Sequence, residues 1–206
     1  MSVEAFDRAR ATIARSGMSP EIETKLALFV GAAKGANTMM LAPIVWQPMA
    51  TLAHQFLHAQ YCQEVQTIGL LARVTRWIPQ PTIYARNATI VSPIWNDLCA
   101  PSDVTAFGND MRAFYGVLAL GHALLSTIRL TPILPADVDE TQPFVVAMRH
   151  VERDNARQQQ TQLRLLKIVA PELAPSEREK IIETKAEMIA KVFSSFLAWV
   201  SEESHL

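Results

Sequence analysis

The segment SEREKIIETKAEMIAKVFSSFLAWVSEE, residues 176–203, carries the plainest structural signal in the chain. Ser176 followed three residues later by Glu179 has the form of a capping box, in which hydroxyl and carboxylate satisfy N–H groups that a helix start leaves orphaned. Behind it Ile182, Ala186, Ile189, Phe193, Phe196, Leu197 and Val200 recur at helical spacing, so the segment reads as an amphipathic helix with one side to bury.

Working outward, proline and glycine mark off further segments of similar length that lack the alternating pattern of strands. A helix over 141–169 tolerates Pro143 in its first turn and stops before Pro171. Another, 102–130, opens at Ser102-Asp103 and is closed by Pro132 and Pro135, and a third, 47–78, is broken by Ile78-Pro79-Gln80-Pro81. Residues 79–101 contain Pro79, Pro81, Pro93 and Pro101 and read as an irregular connection with room for one helical turn or two. Within residues 1–46 two shorter helices are expected: Ser2–Ser16, stopped by Gly17, and one that starts at Ser19-Pro20-Glu21, ends near Gly35 and precedes a loop with Pro43. The fold class is all-α: a single-domain bundle of about four long helices preceded by two shorter ones.

The 206 residues fit one domain, and half of them are apolar, which is ordinary for a folded chain and unlike disorder. Nineteen Lys and Arg against twenty Asp and Glu leave the net charge uninformative about nucleic acid or membrane, so the arrangement of charge has to decide. Cys62 and Cys99 do not make a disulfide framework or a CxxC site, and the first residues place acids where a signal peptide carries lysines. A cytoplasmic chain is expected. No Asp, Glu, Lys or Arg occurs from Gly35 to Gln63, and only Arg129 interrupts 113–136. Both stretches are too polar, too rich in proline or too short to span a bilayer, so core or subunit interface is preferred over membrane insertion.

Three constellations bear on chemistry. His54, His58 and Cys62 rise along one side of the helix over 47–78, a spacing that suits a divalent transition metal, with His122, His150, Glu152 and Asp154 as possible further ligands. Gln55 stands where a metalloprotease needs glutamate, and no Glu-x-x-His pair exists for a di-iron site. A row edging the core beside Leu57, Tyr61, Val65 and Ile68 is the preferred reading, with no cofactor.

The second constellation is the most directional. Arg149, Arg153, Arg157, Arg164 and Lys167 project within about 80° of one another, with Gln160 among them, over about 27 Å of helix axis. Guanidinium forks at this spacing suit successive phosphates of a nucleic-acid backbone. The polar run from Arg149 to Gln162, relieved only by Val151 and Ala156, suggests a wet or ligand-facing helix. Against this stands the row Glu179, Glu183 and Glu187, on a helix expected to lie antiparallel after a short turn; mutual pairing and plain solvation together outrank phosphate binding.

The third lies between Arg73 and Trp95, where Arg73, Arg76 and Arg86 alternate with Trp77, Tyr84 and Trp95 and no acid intervenes. Arginine clamps with aromatic stacking platforms hold single strands without reading sequence, although aromatics plugging the end of a bundle account for it as well. Phosphate-cradling glycine loops, nucleophile elbows and paired carboxylates in apolar settings are missing, which lowers the expectation of an enzyme.

The leading functional expectation is a non-catalytic subunit of a larger assembly, partnered by copies of itself or other protein subunits, with a basic face toward nucleic acid. A metal or small-ligand bundle on His54, His58 and Cys62 is the second, and a purely structural oligomerisation bundle the third.

Overall fold

A computed structural model describes residues 3–45, 52–94, 96, 130–169 and 175–202. Among them lie six α-helices: α1 (Val3–Ser16), α2 (Pro20–Val45), α3 (Leu52–Val74), α4 (Pro81–Pro93), α5 (Pro143–Val169) and α6 (Pro175–Ser201), with a 3-10 turn at Thr131–Ile133. The described residues contain no strand, so the chain is all-helical as expected. The helix expected over 102–130 lies outside the described residues.

α2 is the hub. It packs on α3, α4 and α6, while α6 packs chiefly on α1 and α4, and α5 packs on α3. Its apolar residues run round the helix, and Ile22, Leu26, Ala27, Phe29, Val30, Ala36 and Leu41 are all buried, as befits a helix enclosed on several sides. Phe29 stacks on Phe196 of α6 with ring centroids 4.0 Å apart, and Phe193 and Trp199 extend the aromatic cluster. On α1 the four-residue spacing of Ala5, Ala9 and Ile13 makes a buried stripe of small and branched side chains. No helix among the described residues is long and apolar enough to cross a membrane.

Local chemistry explains the helix ends that were expected. Gly17 follows α1 at φ +64°, the left-handed conformation that glycine adopts without a Cβ penalty. Ser19 Oγ accepts the Ile22 N–H at 3.3 Å, capping α2 ahead of Pro20.

Three expectations need correction. α2 does not stop near Gly35 but continues to Val45, taking Pro43 into its last turn. A mid-helix glycine costs only about 1 kcal/mol relative to alanine, less than the burial of Ala36 and Leu41 returns. Residues 81–93, expected to be irregular, form α4: Pro81 occupies the first helical position, where its missing N–H is harmless, and Pro93 is the last residue. Ile83, Asn87, Ile90 and Val91 then make a buried helical face. Finally, α6 begins with Pro175, one residue ahead of the Ser176 expected to open it.

Candidate nucleic-acid interface

α5 has two faces of different chemistry. Phe144, Met148, Val151, Asn155 and Gln158 are buried, and at about 100° per residue their mean direction is about 180° from that of the arginine row. The face that must point outward is therefore the one that carries Arg149, Arg153, Arg157 and Arg164. Arg153, Arg157 and Arg164 are exposed, Arg157 with 81% of its side chain accessible.

The acids near this face are few. Arg149 is forked onto Glu140, with Nη2–Oε1 2.6 Å and Nε–Oε2 3.3 Å, which raises the guanidinium pKa and lowers that of the carboxyl. Asp154 lies 3.9 Å from Arg157 and 3.1 Å from His150 Nε2. Glu152 is turned to the backbone, where its Oε1 accepts the Leu130 N–H at 2.6 Å. Arg153 Nε donates to the Arg149 carbonyl.

The expected neutralisation by α6 is not observed. Among the described residues no ion pair joins Arg149, Arg153, Arg157 or Arg164 to Glu179, Glu183 or Glu187, all three of which are exposed. The reason is the packing: α6 turns its apolar face to α1 and α4 instead of lying along α5. The side chain of Lys167 lies outside the described residues.

The polar character of α5 also has an unexpected source. Asn155 and Gln158 are not wet but buried, and both carbonyl oxygens accept from Lys34 Nζ of α2, Gln158 at 3.4 Å. Lys34 Nζ is also 2.8 Å from Glu64 Oε2 of α3, and Asn37 Nδ2 reaches Glu64 Oε1 at 3.5 Å. A polar centre thus ties α2, α3 and α5 together, beside a cavity of about 30 Å³ lined by Lys34, Asn37, Glu152 and Asn155. Periodicity pointed to none of these residues, although Lys34 and Glu64 stand at the two ends of the uncharged stretch 35–63.

Neither a family model, a curated protein nor a solved structure matches this chain. Its function has to be read from its own side chains.

The structure does not gather the other candidates onto the α5 face. Arg76 is committed elsewhere: its Nε and Nη2 meet Glu23 at 3.0 and 2.8 Å, its backbone N–H adds a third bond, and Nη2 also donates to the Met18 carbonyl. This raises the Arg76 pKa, chiefly through the side-chain hydrogen bond to Glu23. Arg86 is 3.1 Å from Glu202 of α6, and Arg73 is exposed. Trp77 and Tyr84 are each about two-fifths exposed, with the Trp77 indole N–H bonded to the Ala72 carbonyl at 3.0 Å. Trp95 lies outside the described residues.

On α3, His58 Nδ1 and Cys62 Sγ are 3.9 Å apart and exposed beside the buried Leu57, while the side chain of His54 lies outside the described residues. No group of three metal-ligating side chains occurs among the described residues, and two donors leave a tetrahedral ion half coordinated.

Proposed function

We propose that the chain is a non-catalytic helical subunit of a larger cytoplasmic assembly, and that the outer face of α5 binds the phosphate backbone of a nucleic acid. The observation that carries this reading is the exposure of Arg153, Arg157 and Arg164 on the face opposite the buried side of α5, with no acid of α6 paired to them among the described residues. Charges held in the open by a packed helix attract a polyanion without needing to reorganise, and neutralised phosphates release counterions. The five cations of α5 outnumber its two acids, and Asp154 is nearly buried while Glu152 is engaged with backbone. Exposed Met39, Phe56, Val65 and Val146 supply apolar surface for protein partners in the assembly.

Filter binding of single-stranded RNA and DNA at low and moderate salt tests the proposal. Binding that weakens steeply with salt, and that fails in the double variant Arg153→Glu/Arg157→Glu, supports it. Absence of salt-sensitive binding, or unchanged binding by the double variant, overturns it.

A further inference from the structure

A second surface, independent of the α5 face, has the make-up of a small-molecule site. A groove of about 550 Å³ runs between α2, α3 and α4. Its walls include Ala27, Gly31, Leu71, Trp77, Asn87 and Val91, and among the described residues none that lines it is charged. That volume is typical of a ligand pocket, and the described lining is mostly apolar.

Three observations give the groove more than shape. Gly31 lies in the middle of α2, where glycine costs about 1 kcal/mol relative to alanine. Among the described residues a Cβ built there meets nothing within 4 Å, so their packing does not require the glycine; the open space faces the groove. Asn87 is only 7% exposed, its Nδ2 reaches the Leu28 carbonyl at 3.5 Å, and its Oδ1 has no hydrogen-bond partner among the described residues. A buried amide oxygen without a donor is costly, and it is a polar group that a ligand N–H or O–H would satisfy. Trp77, on the wall, is fixed by its indole bond to Ala72, which leaves one aromatic surface held in position.

We infer that this groove binds a neutral, apolar ring compound that carries one hydrogen-bond donor, with the rings against Gly31, Leu71 and Trp77 and the donor on Asn87. A net charge on the ligand disfavours binding, because none of the described lining residues compensates it.

The probe for the test is N-phenyl-1-naphthylamine, a neutral fluorophore with a single N–H, titrated into the full chain. Saturable enhancement at one equivalent is expected. Gly31→Leu fills the groove and should weaken binding at least tenfold while leaving helical circular dichroism intact. If that variant fails to fold, Ala88→Leu, at an exposed position on the groove wall, takes its place. 1-Benzylnaphthalene, in which CH2 replaces the bridging N–H, should compete with an affinity several-fold weaker than the probe's own in the wild type and equal to it in Asn87→Leu. The inference is overturned by non-saturable fluorescence, by a groove-filling variant that binds as the wild type does, or by sizing that shows the wild type dimeric and the groove-filling variant monomeric. In that last case a second copy of the chain occupies the groove.

Discussion

Lys34 Nζ lies 2.8 Å from Glu64 Oε2 with both side chains buried, at 4% and 0% exposure, so the two charges that bracket the uncharged stretch 35–63 are each other's partners. Removing one partner of a buried ion pair deprives the other of that charge-paired contact, a cost of about 3–5 kcal/mol. Lys34→Met and Glu64→Leu are each expected to destabilise by about that amount in urea unfolding. The double variant should cost clearly less than the sum, because each single variant already loses the contact between the two charges. Additive losses would show that the pair is not coupled.

How much of this was legible varied with the kind of information required. Gly17 and Ser19-Pro20 end and start helices by local chemistry, and local chemistry is what a sequence displays. α4 was obscured because prolines were read as breakers when Pro81 and Pro93 occupy only its ends, with the face Ile83, Asn87, Ile90 and Val91 between them. The arginine row was visible as a period, but its exposure depends on where α6 packs, and periodicity does not name a helix's neighbour. The same holds for Lys34 and Glu64: partnership across helices is tertiary, and the only local hint was two charges standing beside a long run without any.

Arg76 illustrates a cation with a structural assignment. Its fork covers Glu23, whose side chain is 3% exposed, although the arginine itself is 56% exposed. Arg76→Met is expected to lower stability by about 1.5–3 kcal/mol, the range for a hydrogen bond to a charged group. Thermal unfolding of this variant beside Arg73→Met, whose exposed side chain has no comparable partner among the described residues, should separate the two. Equal small effects would contradict the arrangement.

Asp139 and Glu140 precede α5 and give the segment a pH dependence. The Thr141 hydroxyl and N–H hold Asp139 below its usual carboxyl range, and Arg149 does the same for Glu140. A carboxyl whose pKa is lower folded than unfolded contributes stability at pH above the unfolded value, ~4, and loses it as pH falls through the folded one. The Tm of Asp139→Asn/Glu140→Gln should therefore lie below that of the wild type at pH 6 and converge with it toward pH 3. A gap that persists at low pH would point to packing rather than charge.

Two glycines should respond in opposite directions to the same substitution. Gly17 sits at φ +64°, so Gly17→Ala forces a side chain into the left-handed region and should cost about 1 kcal/mol. Gly31 is helical, with open space at its Cβ, so Gly31→Ala should stabilise by about 0.4–1 kcal/mol, through helix propensity and a less flexible unfolded chain. Chemical denaturation of both variants checks the pair, and a destabilising Gly31→Ala would mean that something packs closely there.

The α5 face makes a prediction in salt as well as in affinity. Each phosphate neutralised on a single strand contributes about −0.7 to the slope of log K against log salt, so three exposed arginines account for about −2. Replacing Arg153, Arg157 and Arg164 with glutamine should flatten the slope by that amount and weaken binding similarly across sequences, since phosphate contacts carry no base information. Arg76→Gln removes one charge, as each α5 replacement does, but from a guanidinium already committed to Glu23, so the slope should stay near that of the wild type. Overall charge alone would make the variants alter the slope in proportion to the charge each removes. Dependence on position, with α5 dominant and Arg76 silent, is the signature of a face, and equal slopes per charge removed would reduce the α5 row to ordinary solvated surface.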